Sequence, residues 1–340
     1  LHVLTGPLGA GKTTLLNAAL RDPAMGRAAI VVNEFGDVGI DQMLIDASSD
    51  DMIELTGGCV CCAVRGAFAD GLTHLLMARS GEFNRVVVET SGLAEPGPLL
   101  AALHAHPFLS VRVRPSGVVC LVDATQGLAA LSAQPEAKAQ LTLADRVLLT
   151  KTDLQQAEAE LIHAVREAAP SADIRDVSNS DFAPARALLD GTLNIGRSST
   201  AGPAHGALRW AHGGREDDGA IAVSLTSDGP MTHHRLDLFL GQLTESFGPS
   251  LLRVKGLVSL SDAPDRPLLV QGVGSVIAPP ERLEYWPAGV DTTCLVVIVR
   301  GRSATDIHRL WSGFTHGLAE DLPDAEALTA NPLAVPGVRF

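Results

Sequence analysis

His2-Val3-Leu4-Thr5-Gly6-Pro7-Leu8-Gly9-Ala10-Gly11-Lys12-Thr13-Thr14-Leu15-Leu16 stands almost at the start of the chain. Residues 2–5 read as a short apolar strand. Residues 6–13 fit G-x-x-x-x-G-K-[ST], and the apolar spacing of residues 15–20 reads as a helix. Strand, glycine loop and helix form the context in which this pattern carries a mechanism. Glycines let the backbone curl until successive N–H groups point at phosphate oxygens. A helix opening near Gly11 presents its positive end to the same charge. Lys12 is expected on the β- and γ-phosphates and the Thr13 hydroxyl on Mg²⁺. Gly9, Ala10, Gly11 and Thr14 line the same cradle. The stretch makes the fold class α/β, a P-loop NTPase.

Outward from this loop, short apolar runs alternate with helical patterns. Strands are expected at residues 2–5, 28–33, 86–89, 117–123 and 146–150, and helices at 15–20, 63–79 and 154–169. Continuous apolar strands interleaved with helices predict a mostly parallel sheet covered on both faces. This first unit spans residues 1–182. Residues 183–218, rich in Gly, Ser, Pro and charge, read as a linker. Residues 219–316 follow a β-α-β-β-β-α order, which predicts a smaller α+β domain with helices on one face of an antiparallel sheet. Residues 317–340 read as a tail.

Two further stretches complete a nucleotide site. Val86-Val87-Val88-Glu89 is an apolar strand ending in a carboxylate, where a P-loop fold puts the group facing Mg²⁺. Thr90-Ser91-Gly92 follows as a turn able to sense a γ-phosphate. Val147-Leu148-Leu149-Thr150-Lys151-Thr152-Asp153 is another apolar strand, ending in T-K-x-D where a GTPase normally carries N-K-x-D. Asp153 would accept from the guanine N1–H and amine; adenine leaves that carboxylate unpaired, so GTP or GDP is favoured over ATP. Lys151 would lie along the base, and Thr150 would leave one base contact weakened or rebuilt. Ser178 is a further contact on the guanine side.

Gly57-Gly58-Cys59-Val60-Cys61-Cys62 precedes a helical pattern. Thiolates there would be stabilised by the helix dipole and would take a borderline ion such as Zn²⁺. In an extended loop Cys59 and Cys61 share one side and Cys62 faces away, so two or three thiolates bind and other residues complete the shell. Glu34 and Asp37, in a loop that would double as a nucleotide switch, are the candidates. A redox or regulatory thiol site and plain packing cysteines are the other readings of this cluster. Cys120 and Cys294 sit inside apolar runs and are expected in cores. His104, His106, His233 and His234 form two close pairs, expected as surface or helix-cap residues.

The chain of 340 residues has a net charge of −13 and no basic stripe, so no nucleic-acid face is expected. No apolar run reaches the 18 residues or so of a membrane span, and no signal peptide is read at the start. Five cysteines, three of them clustered, predict a reduced, cytoplasmic protein rather than a disulfide framework. A homo-oligomer is left open.

Taken together, residues 6–14, N-E-F-G-x-x-G-I-D at 33–41, G-G-C-x-C-C at 57–62, E-T-S-G-L-A-E-P at 89–96 and T-K-T-D at 150–153 resemble the CobW-type P-loop GTPases. That family is related to the urease and hydrogenase nickel-insertion GTPases. Leu252-Arg253-Val254-Lys255-Gly256, Gln271-Gly272-Val273 and Trp286 look like the family's C-terminal domain. The resemblance implies a slow GTPase acting as a metallochaperone. GTP and Mg²⁺ would sit in the first domain, with Zn²⁺ or Co²⁺ at the C-x-C-C site, and hydrolysis or exchange would pass the metal to a client metalloprotein. An alternative is a nucleotide-gated maturation factor whose metal site is only structural. The His-rich stretch of many family members is missing.

Overall fold

The computed structural model describes residues 1–33, 65–79, 81–189, 220–287 and 290–315. Six strands make the first sheet: β1 His2–Thr5, β2 Ala28–Asn33, β3 Arg85–Thr90, β4 Gly117–Asp123, β5 Arg146–Thr150 and β6 Asp173–Asp176. Their order is β2-β3-β1-β4-β5-β6, and every pairing is parallel. Between them run α1 Lys12–Leu20, α2 Arg65–Ala78, α3 Pro96–Ala105, α4 Leu109–Arg112, α5 Gly127–Ala133, α6 Pro135–Thr142 and α7 Ala159–Ala168; α8 Pro184–Leu189 follows β6.

Strand side chains alternate between faces, and here both faces are dry. Val3, Val31 and Val88 pack with Leu72 and Leu100 in one core. Their neighbours Leu4, Ile30 and Val87 pack with Leu16 and Leu121 in the other. All residues of β4 and β5 are consequently buried, which is why they read as unbroken apolar runs. The edge strand β6, Asp-Ile-Arg-Asp, is only half-buried. β1 lies between β3 and β4, so the sequential connections diverge there, and a crevice opens at the carboxyl ends of these strands. The loop after β1 emerges into it.

Element bounds follow the sequence pattern closely, with two informative exceptions. Residues 184–189, read as the start of the linker, form α8, whose Ala185, Ala187 and Leu188 pack into the core beside Leu16 and Leu121. A helix expected from residue 154 begins at Ala159. Lys151 has φ 58°, a left-handed conformation that diverts the chain, and residues 151–158 make a turn closed by Leu154 N–H and Gln155 N–H on the Lys151 carbonyl.

The second unit contains β7 Ala220–Ser227, α9 His233–Phe247, β8 Leu251–Val258, β9 Leu268–Val273, β10 Val276–Ile277, β11 Glu281–Arg282, β12 Thr293–Arg300 and α10 Ala304–Thr315. The sheet order is β10-β9-β8-β12-β7, with β11 also on β9, and its pairs are antiparallel. α9 and α10 cover one face, where Phe239 meets Trp311 and Phe314 edge-on at centroid distances of 4.8 and 5.9 Å. Thr232 caps α9 by accepting from Arg235 N–H at 3.3 Å. Arg253 and Lys255 alternate with Val254 of the helix-side core, so they project from the opposite face, toward the first unit. Among the described residues no helix is long and apolar enough to cross a membrane.

Candidate nucleotide and metal site

The glycine loop joins β1 to α1. Gly11 has φ 94° immediately before the helix, a conformation side chains resist, and it turns the first N–H groups of α1 into the crevice. Lys12 folds back over the loop, its Nζ donating to the Gly6 and Pro7 carbonyls at 2.9 and 3.0 Å. Thr13 Oγ1 donates to Glu89 Oε1 at 2.7 Å across 76 residues of sequence. Glu89 reaches it because β3 lies beside β1, with Leu4 opposite Glu89. A hydroxyl and a carboxylate side by side at the loop are hard oxygen donors of the kind that suits Mg²⁺. Gly9 and Thr14 are exposed at the mouth, and Ala10 is buried behind it.

The turn after β3 is held tightly. Thr90 Oγ1 donates to Thr5 Oγ1 at 2.8 Å. Gly92 lies against the glycine loop so closely that a methyl group there would sit 2.5 Å from the Leu8 amide nitrogen. Gln140 of α6 donates to the carbonyls of Gly92 and Ala94 at 3.1 and 3.0 Å.

At the end of β5, Thr150 turns its hydroxyl to the Ala10 carbonyl at 2.8 Å, tying the T-K-x-D strand to the glycine loop. Lys151 Nζ pairs with Asp123 at 2.6 Å. Burial pushes the Asp123 carboxyl up, but hydrogen bonds from Lys151 and Thr125 and the Lys151 charge outweigh it and leave the pKa below the usual value. Thr152 donates to Asp176, which also accepts from the Ser178 N–H and hydroxyl at 2.8 Å each. The β5 and β6 loops are thereby clasped together. Asp153 is exposed beside them. Asp123 and Gln140 went unread in sequence. Asp123 carried a usable mark, a carboxylate closing an apolar strand, whereas Gln140 carried none.

The metal ligands expected from sequence, Cys59, Cys61, Cys62, Glu34 and Asp37, lie outside the described residues. Among the described residues no group of three His, Cys, Asp or Glu side chains could hold a metal. Cys120 is fully buried, its thiol pushed up to about 12 by burial. Cys294 is half-buried beside Leu257 and Leu269. His106 Nδ1 accepts from Leu109 N–H at 3.3 Å, and His233 is exposed beside Arg282 and Asp262. His104 departs from the surface expectation. It is buried, and burial followed by the nearby Arg253 charge lowers its pKa to about 4.

A glycine loop at the switch point of a parallel sheet, a Thr–Glu pair beside it and a T-K-x-D strand end define the class, a P-loop GTPase. The chain belongs to the CobW/HypB/UreG family: residues 1–176 match its nucleotide-binding domain, and residues 220–315 match the cobalamin synthesis protein cobW C-terminal domain. It is 33% identical over 275 residues to the zinc chaperone YjiA of Escherichia coli (strain K12), covering 80% of this chain and 85% of that one. It is 31% identical over 322 residues to the zinc chaperone CobW of a Sinorhizobium species, covering 81% and 85%. The crystal structure of Zn(II)-bound YjiA GTPase from E. coli superposes with a TM-score of 0.61 at 27% identity, covering 92% of this chain and 97% of that one.

Proposed function

We propose that this GTPase is a metallochaperone that binds a divalent transition metal, zinc ahead of cobalt, at Cys59, Cys61 and Cys62 and delivers it to a client protein according to nucleotide state. One observation carries the reading. Asn33 pairs with Thr90 at the carboxyl ends of β2 and β3, so the chain leaves for Glu34 from the same sheet edge that holds Glu89 and the glycine loop. The segment bearing the thiols thus departs beside the γ-phosphate position. Two relatives, the zinc chaperones YjiA and CobW, support zinc.

In this reading Lys12 and the amides of Gly9, Ala10, Gly11, Thr13 and Thr14 hold the β- and γ-phosphates. Thr13 and Glu89 hold Mg²⁺, which when bound neutralises charge on the phosphate oxygens. Ser91 and Gly92 contact the γ-phosphate, and Asp153 selects guanine, with Lys151 along the base and Thr150 bracing the loop behind it. Once the γ-phosphate leaves, the turn at 91–94 loses its contact. Glu34 or Asp37, shared between thiolates and switch, then changes the metal's affinity. Residues 1–182 together with α8 act as the GTPase unit, the rest of 183–218 as linker, 219–316 as the second domain and 317–340 as tail. The working compartment is the reducing cytoplasm, where free thiolates persist.

The test is anaerobic zinc and cobalt titration of the reduced protein, with GDP or a non-hydrolysable GTP analogue, on wild type and Cys61→Ala. The expected result is about one ion per chain, lost in the mutant, with affinity differing about tenfold between nucleotides. Binding indifferent to both Cys61 and nucleotide would overturn the reading.

A further inference from the structure

α6 is gripped at two places by two different parts of the molecule. Toward the nucleotide, Gln140 has no exposed surface and spends its amide on one turn, donating to Gly92 O and Ala94 O. That turn is stiffened by Ala94 N–H on Ser91 O at 3.1 Å, and Gly92 rests on Leu8 of the phosphate loop. Toward the second domain, Arg253 of β8 donates to the Leu143 carbonyl just past the end of α6. Arg253 and Lys255 also bind Asp145 at 2.8 and 2.7 Å. Only two residues, Leu141 and Thr142, separate Gln140 from Leu143, and Ala144 N–H on Leu141 O at 2.9 Å keeps the helix end wound between them. A shift of the 91–94 turn therefore pulls on the segment that the second domain holds, because packed helix ends move as units rather than deforming smoothly.

We propose that Gln140 is a positioning residue for GTP hydrolysis: it sets the 91–94 turn against the phosphate loop and ties that placement, through the end of α6, to Arg253 in the second domain. Neither residue touches the nucleotide. The inference rests on the GTPase activity and not on metal delivery, so a failed metal titration leaves it standing.

The experiment uses the full chain with GTP and Mg²⁺, and reads kcat per nucleotide-binding site, KM and the affinity for fluorescent GDP. Gln140→Met keeps length and helix propensity but has no donor. Arg253→Lys keeps the charge but loses the planar fork. Gln140→Met should lower kcat about tenfold with GDP affinity within about twofold, the mark of an interaction used in the reaction rather than in binding. Arg253→Lys should lower kcat about threefold. The double variant should be no slower than Gln140→Met alone, because both act on one tie. Unchanged kcat in Gln140→Met, or an equal loss of GDP affinity, overturns the positioning role. Losses that multiply in the double variant overturn the tie. If Gln140→Met does not fold, an Arg253→Lys kcat within about 1.5-fold of wild type overturns the proposal, and a KM-neutral threefold loss supports it.

Discussion

Replacing Asp145 by Ala should destabilise the chain far more than removing one of its two cationic partners. The Asp145, Arg253 and Lys255 side chains are 8%, 10% and 8% exposed, so the group is two buried cations around one carboxylate. Burial pushes the Asp145 carboxyl up, but the charges and hydrogen bonds of Arg253 and Lys255 more than reverse it, and the group stays ionised. Burial likewise pulls the Lys255 pKa below its ordinary value despite Asp145. Asp145→Ala leaves both cations buried and facing each other, a loss of about 3–5 kcal/mol. It also strips the acceptor from Val118 N–H, bonded at 2.8 Å, for about 1 kcal/mol more. Lys255→Met behaves differently: the remaining Asp145–Arg253 pair is neutral and Met fills the stem's space, so the loss should stay within about 1 kcal/mol. The assay is urea unfolding at pH 7.5 and 25 °C, followed by tryptophan fluorescence, to which Trp311, buried in the second domain, contributes. A loss under about 2 kcal/mol for Asp145→Ala, or an equal loss for Lys255→Met, would refute the charge count.

Gly92→Ala should weaken GTP binding by about tenfold while the thermal midpoint moves by a few degrees, because its methyl would press on the Leu8 backbone; fluorescent-GTP titration and circular dichroism check this, and unaltered affinity would count against the close contact. Asp123→Asn removes the partner of Lys151 and should raise the KM for GTP about threefold with kcat nearly unchanged, as expected when uniform binding is lost; steady-state kinetics decide it. His104 titrates near 4 when folded and near 6.5 when unfolded. The unfolded chain therefore takes up this proton first, and stability present above pH 6.5 is lost as the pH falls toward 4, about 3 kcal/mol in full. Urea titrations at pH 7.5, 6 and 5 on wild type and His104→Leu isolate this from the similarly depressed His2; parallel stability curves for the two proteins would sink the assignment.

Local patterns told most of the architecture. Val147-Leu148-Leu149 and Val119-Cys120-Leu121 had to be strands covered on both sides, since no amphipathic period runs through them. The sequence G-x-x-x-x-G-K-T between a strand and a helix fixed where phosphate would lie. Leu236, Phe239, Leu240, Leu243 and Phe247 recur at helical spacing and marked the face of α9 that packs on the second sheet. Such signals survive in sequence because they depend on residues a few positions apart. Lys151 hid the true start of α7, because its left-handed turn came from an ordinary side chain instead of glycine.

Through-space pairings were a different matter. Thr13 was expected near Glu89 only because both would face one ion; their 2.7 Å bond exists because β1 and β3 became neighbours. Asp123 reaches Lys151 because β4 and β5 pair in register, with Asp123 opposite Thr150. Asp145 meets Arg253 across 108 residues, and Gln140 meets Gly92 across 48. In the apolar run of β8, Arg253 and Lys255 were the one visible irregularity, two charges on alternate positions of a buried strand. The sequence displays the two charges; only the packing of the two domains decided that one carboxylate, Asp145, would serve both, because burial penalises any charge left alone.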